Sequence, residues 1–328
     1  ERVRELPILK DFVTENNSII EEGFEIGSKQ NLAPDYIYEI PFLPTEAINE
    51  DEIGYDLLTK MSKSIKFSKV PPMDAFVGPN LIIWENIGEK RFPIFYNETS
   101  FSFKRRLISI KSLNNDKKIL KKIYNSFNEY YNFYKFHFLA TSSETLINRN
   151  NTFLLKDFKN LPFIGDGFSF SDFDLNVISD SLEFQQDFFI HGEKSKALQQ
   201  IKQNKLKEVL SNYGTEFSKA LNTIYEENNS KFRLSDVIQL ENSLIATVFK
   251  YDSENLEPKF SKDLSVLNID GLTTNEISAH LSVNRIIKLY PQKDTIVFVK
   301  PNQYRYWLAL TAYRDADKCF SDFSNAGF

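Results

Sequence analysis

"VGPNLIIWENIGEKRFPIFYNETSFSFKRRLISIKS", residues 77–112, decides how the first half of the chain folds. Ile, Phe, Tyr and Trp crowd it in short runs, broken by Gly-Pro, Gly-Glu-Lys and Asn-Glu-Thr, so it reads as several strands joined by turns. Directly after it, Asn114-Asn115-Asp116 offers a helix N-cap. Apolar residues then recur at Leu120, Ile123, Tyr124, Phe127, Tyr130, Tyr131, Tyr134 and Phe138. That period predicts one helix of about seven turns. Strands followed by a long helix, without alternation, point to an α+β domain.

Working upstream, "GFEIGS" and "YIYEIPFL" alternate between Pro34, Pro41 and Pro44 and read as short strands. Residues 55–69 read as a short helix carrying Lys60, Lys63, Lys66 and Lys69 along one side. Working downstream, "TFLLKDFKNLPFI" (152–164) predicts a further strand or two, and a boundary follows around residues 165–190, where "GDGFSFSDFD" is turn-rich and acidic. Residues 194–228 read as helical. "RLSDVIQLENSLIATVFKYDS" (233–253) and "RIIKLYPQKDTIVFVKP" (285–301) each read as a hairpin, and a helix from about residue 303 to 323 closes the chain. The expected fold is α+β in two mixed domains. Residues 1–170 form a β-rich domain with one long helix, and 171–328 a helix–antiparallel sheet–helix domain.

With 328 residues and 41% hydrophobic side chains, the chain has ample material for two cores. Its longest apolar runs fall far short of the roughly 20 residues that cross a bilayer as a helix. A single cysteine, Cys319, excludes an internal disulfide and a cysteine-based zinc knuckle, and suits a reducing cytoplasm. The chain starts at Glu1 without a signal-peptide pattern, which suggests an excised or processed piece. Charge is unevenly spread. Residues 1–59 hold 4 Lys/Arg against 14 Asp/Glu, whereas residues 60–159 hold 18 against 8. A block that basic inside an acidic chain can hold a polyanion, although a solvated lysine-rich surface has the same composition.

Enzyme signatures are thin. "LPFIGDGFSF" (161–170) and "KVPPMDAF" (69–76) suggest the cofactor loop and Pro-Pro catalytic loop of an amino-methyltransferase. In such a site an Asp or Asn carbonyl holds the flipped base and an aromatic ring stacks on it. Val70 and Met73 can do neither, and Leu161 stands where an acidic residue is needed. No phosphate-binding Gly-Lys-Ser/Thr loop occurs. His137, His191 and His280 lack partners at metal-ligand spacing, and His137 reads as a packed helix residue. Glu257-Pro258-Lys259 matches a nuclease tripeptide, but its proline argues for a loop. Arg314, Asp315 and Asp317 in "YRDADK" could hold a divalent ion, and read more simply as the polar end of a helix with intrahelical pairs.

The basic block is the feature that survives. Besides Lys60, Lys63, Lys66 and Lys69 it offers Lys104, Arg105 and Arg106 after "TSFSF", then Lys117, Lys118, Lys121 and Lys122 at the start of the long helix. Arg149, Lys156 and Lys159 follow, beside Asn148, Asn150 and Asn151. Lysines near phosphates supply sequence-independent affinity, whereas Arg and Asn on loops can read base edges. "INRNN" suits that second task, and equally an ordinary polar turn.

"PPMDAFVGPNLIIWENIG…FPIFYNETSFSF…LISIKS", followed by "LKKIYNSFNEYYNFYKFHFLATSS" and the exit Leu155–Pro162, resembles the target-recognition region of bacterial N-6 adenine DNA methyltransferases. This region belongs to type I-like and type IIG restriction–modification proteins. "VKPNQYRYWLALTAYRDADKCFSD" is similar to the C-terminal end of the same proteins. The resemblance covers most of the chain in diffuse patterns. It implies double-stranded DNA as partner, together with a methyltransferase core in the same polypeptide or a partner subunit. S-adenosylmethionine would belong to that core, with no cofactor and no catalytic residue here. Lys104, Arg105 and Arg106 would clamp phosphates, and Arg149 with its neighbouring asparagines would read bases. The acidic first sixty residues and the C-terminal domain would dock on the core. Two other readings stand beside this one: a scaffold whose basic face meets an acidic protein, and an enzyme of unrecognised type.

Overall fold

A computed structural model of the chain describes residues 2–142, 151–240, 243–254, 257–262 and 286–327. Contacts between backbone positions divide it into two compact units, residues 1–170 and 171–328, each mixing helices with sheets. The fold class is α+β.

The first unit is built on an antiparallel sheet in the order β1-β8-β5-β6. Its strands are β1 (Ser18–Glu22), β5 (Asn80–Trp84), β6 (Ile94–Asn97) and β8 (Leu107–Ser112). Every residue of β8 is buried, so both faces of this strand are covered. Ile82 and Leu107 join Phe24, Phe67, Phe76, Phe101 and Phe103 in one core cluster. The opposite face meets α3 (Lys117–Glu129), whose Leu120, Ile123 and Phe127 are buried. Two small pairings frame that core: β2 (Glu25–Ile26) with β4 (Phe67–Lys69), antiparallel, and β3 (Phe42–Leu43) with β7 (Ser102–Phe103), parallel. Short helices α1 (Leu9–Glu15) and α2 (Asp35–Glu39) complete the entry into the unit.

Four local expectations give way here, each for a packing reason. Residues 55–69 are not a helix, because Phe67 exchanges both backbone hydrogen bonds with Leu32 (2.9 and 3.0 Å) and β4 pairs with β2. "YIYE" is the helix α2 rather than a strand, and Pro34 precedes it as a helix start allows. The long helix is two, with α4 (Tyr131–Thr141) following a break at Tyr130. Phe127 and Phe138 both lie against Phe92, with ring centroids 4.8 and 6.2 Å away. Eleven residues of straight helix would carry them about 16 Å apart along its axis, so the chain must turn. Residues 155–159 form the short helix α5 (Leu155–Lys159), which drives Phe158 onto the same ring cluster, and not a returning strand.

"LPFI" beyond it closes the unit through a bridge between Pro162 and Ile8. Leu9 donates its backbone N–H to Leu161 (2.7 Å), and Phe163 donates to Pro7 (2.8 Å).

Residues 165–171 are turn and irregular chain, and helix begins at Asp172, inside the stretch read as turn-rich. α6 (Asp172–Asp180) carries a capping box from Ser171 and Asp174, and a π turn joins it to α7 (Gln186–His191). Then α8 (Gln203–Tyr225) and α9 (Ala309–Asn325) pack on one another beside a five-stranded sheet in the order β11-β9-β10-β13-β12. The two expected hairpins are β9 (Lys231–Leu240) with β10 (Leu244–Asp252), and β12 (Ile287–Gln292) with β13 (Thr295–Pro301). β11 (Lys259–Ser261) adds to β9 in parallel, so the sheet is not wholly antiparallel. Leu210, Tyr213, Phe217 and Leu221 on α8 meet Phe249, Phe298 and Trp307 in its core. Among the described residues no helix is long and apolar enough to cross a membrane.

Candidate nucleic-acid interface

The basic turn Lys104–Arg106 joins β7 to β8, and neighbouring segments strap it at both ends. Phe24 donates its N–H to Phe103 (3.0 Å), Arg105 donates to Phe24 (2.8 Å), and Glu85 donates to Arg106 (2.9 Å). This close passage requires Gly23: a Cβ there would lie 2.3 Å from the Phe103 carbonyl oxygen. Arg106 holds a φ of +88°, in the left-handed region where a side chain is strained. All three side chains of the turn are exposed.

Acidic residues from the first sixty surround this turn. Lys69 Nζ lies 3.4 Å from Glu22 Oε2, and Arg105 Nη1 lies 3.9 Å from Glu25 Oε2. Lys104 Nζ instead sits 5.5 Å from the ring centroid of Phe42. Lys69 and Arg105 remain about half exposed (53% and 54%), so these pairs contribute little and a phosphate can replace them. Glu85 is pushed up to about 7, chiefly by burial and then by the charge and hydrogen bond of Glu22, while Arg105 and Arg106 pull it back.

A second basic group begins α3. Asp116 caps the helix by accepting from the backbone N–H groups of Lys118 (2.8 Å) and Ile119 (3.4 Å). Lys117 pairs with Glu98 (2.7 Å) and Lys122 with Asp166 (3.0 Å). Lys118 and Lys121 are exposed, and neither has an ion-pair partner among the described residues. These lysines flank a groove of about 590 Å³ against Gly165, Asp166 and Gly167. Glu129 also lines the groove, and with Asp166 it offsets two of the three lysine charges.

The Pro-Pro stretch is architectural as well. The Pro71 carbonyl accepts from Tyr36 Oη (2.7 Å), and Phe76 is wholly buried.

Of the residues singled out in the sequence, the fold thus gathers Lys69, Lys104, Arg105 and Arg106 at one end of β8. Lys117 and Lys121 lie just beyond its other end. Six extended residues separate the groups by about 20 Å. Lys60, Lys63 and Lys66 sit on an irregular segment rather than on a helix face. Lys156 and Lys159 lie on α5. Asn151 lends its carbonyl to Ile87 N–H (2.7 Å), while Asn148, Arg149 and Asn150 lie outside the described residues.

The acidic segment folds into the same unit as the basic block, giving it 22 Lys/Arg against 23 Asp/Glu. Glu50 shows the consequence most clearly. Its carboxylate accepts from the backbone N–H groups of Glu89, Lys90 and Arg91 (2.9, 2.5 and 2.9 Å), pinning the β5–β6 loop.

Some charged groups escaped the sequence reading. Lys111 is 3% exposed and donates to Asn115 Oδ1 (2.6 Å) and the Pro79 carbonyl (3.2 Å). In the second unit, Lys300 is buried against Asp315 and donates to Tyr213 Oη (2.8 Å). Burial pushes Lys300 down to about 8 against the pull of Asp315. Asp315 therefore belongs to the core, and does not form an intrahelical pair at the end of α9. His137 is half-buried beside Phe133 (centroids 5.9 Å apart), and burial lowers its pKa. β11 sets Lys259 opposite Asp236, and Glu257 lines a separate groove against α8. No group of three potential metal ligands occurs among the described residues. In comparisons with known proteins, no family model and no curated protein matches the chain.

Proposed function

We propose that the chain is a DNA target-recognition module that directs a SAM-dependent N-6 adenine methyltransferase core, or a methylase–nuclease fusion, to its site. The observation that carries this reading is the placement of two exposed cationic groups at the two ends of β8. The length of β8, about 20 Å, lets both groups reach phosphates of one duplex. The Arg105–Arg106 turn and the Lys117–Lys121 end of α3 contact backbone phosphates and set the register, while polar loop residues read the bases. The asparagine-rich segment 148–151 is assigned that task from its composition alone. The resemblance in "GPNLIIWENIG" and "YRYWLALTAYRDADK" supports the same reading, and implies that the work is done in the cytoplasm. The core supplies the cofactor and the chemistry, and the second unit docks on it.

Duplex DNA retained on the immobilised protein at about 50 mM salt, and released by about 200 mM, is the expected result. No retention at the lower salt would favour a scaffold that binds an acidic protein.

A further inference from the structure

The loop joining β5 to β6 (residues 85–93) leaves the sheet beside the basic turn. β5 ends with Trp84 opposite Leu107, the first residue after that turn, and Glu85 donates its N–H to the Arg106 carbonyl (2.9 Å). Three successive backbone N–H groups of the loop, from Glu89, Lys90 and Arg91, converge on the single carboxylate of Glu50 (2.9, 2.5 and 2.9 Å). N–H groups so aligned make an anion-binding nest. Other contacts hold its shape. Gly88, at φ +75°, donates to Asn86 Oδ1 (2.8 Å), and a Cβ there would lie 2.0 Å from the Arg91 carbonyl oxygen. From α4, Tyr131 Oη and Lys135 Nζ donate to the carbonyls of Gly88 (3.1 Å) and Glu89 (3.4 Å). Glu50 enters from outside this frame, on a short loop closed by a bridge between Ile48 and Ile53. Asp51 and Glu52 beside it are exposed.

We infer that this nest is a phosphate site of the DNA interface, closed in the free protein by Glu50 and opened when a backbone phosphate displaces it. For the source of the phosphate, the inference rests on the proposed DNA recognition. A phosphodiester offers what a carboxylate offers, two terminal oxygens sharing one negative charge, so the exchange keeps the same kind of charge-assisted hydrogen bond. A strand already held by Arg105 and Arg106 presents its neighbouring phosphates at high effective concentration. Lys90, exposed on the nest itself, and Lys135 favour an anion there. Glu50 is thus a competitor built into the acidic segment, and it lowers the affinity for DNA by the fraction of time it fills the site.

The test compares the whole chain as wild type, Glu50→Ala and Glu50→Gln, the last keeping the side chain's length without its charge. The first probe is inorganic phosphate at about 50 mM against chloride of equal ionic strength. Phosphate should raise the melting temperature of both variants by about 2–4 °C more than that of the wild type. The second is duplex DNA at about 50 mM salt, which both variants should bind about tenfold tighter than the wild type, as for a site vacant about one-tenth of the time. If the variants are destabilised with no phosphate-specific recovery and no gain for DNA, Glu50 only staples the loop; the inference falls and DNA recognition stands. Phosphate recovery without tighter DNA binding, in a protein whose wild type binds DNA, would assign the nest to free phosphate and overturn its place in the interface. If no form binds DNA at low salt, the recognition reading falls with it, while the phosphate shift still reports whether the nest takes an anion.

Discussion

Lys300–Asp315 and the Arg105–Arg106 turn both join cations to carboxylates, yet they are opposites in what they leave over. Lys300 is sealed in the second unit's core, with the rings of Tyr213, Phe298 and Trp307 4.3 to 4.9 Å from its ammonium. Its hydrogen bonds go to Tyr213, Asp315 and the Tyr306 carbonyl, and no solvent reaches it. An ion pair so enclosed serves the fold, fixing where α9 lies against β13. The turn in the first unit has exposed guanidiniums, with the Glu25 carboxylate only loosely placed 3.9 Å from Arg105. Incomplete pairing at a surface is what an incoming anion can use. Buried charge supports the structure, and half-satisfied exposed charge is available for recognition.

The contrast breaks most visibly at the buried pair. Asp315→Asn should destabilise the protein by about 3–5 kcal/mol, because it leaves Lys300 buried without its counter-charge. Denaturant unfolding measures this, and the Lys300→Met/Asp315→Leu double variant should recover most of the loss. DNA binding should be unchanged wherever the variants remain folded.

At the turn the balance should invert. Arg106→Gly would remove a proposed phosphate contact while relieving the left-handed backbone at φ +88°, so binding should weaken without loss of stability. Thermal unfolding and DNA titration together would show whether the two effects separate. The smallest effect is expected at Glu85. Its raised pKa means that the folded state holds the proton more tightly than the unfolded state, so stability falls as pH rises from the ordinary carboxylate range through about 7. Glu85→Gln should therefore raise the melting temperature at pH 8 by about 2–4 °C and by much less at pH 5.

How much of this the sequence disclosed depended on the range of the interaction. The strands of 77–112 and the two late hairpins were legible because alternation and turn residues act within a few positions. The break at Tyr130 was hidden, since the apolar period runs through it and only the shared contact with Phe92 demands a turn. Lys60–Lys69 at spacing three imitated a helix face, while pairing partners at Leu32 and Glu25 lay about forty residues away. The same distance concealed the candidate site's acidic half. Lys104–Arg106 announced itself in composition, but Glu25, which faces Arg105, lies 80 positions upstream. Asp315 read as the polar end of a helix and Lys300 drew no reading, because composition does not say which face of β13 or α9 turns inward.

The most direct test of the recognition assignment is the salt dependence of duplex binding by the Arg105→Ala/Arg106→Ala variant. Two lost phosphate contacts should lower the slope of log affinity against log salt by about 2, with thermal stability close to wild type. An unchanged slope in a folded variant would contradict the placement of DNA on this turn.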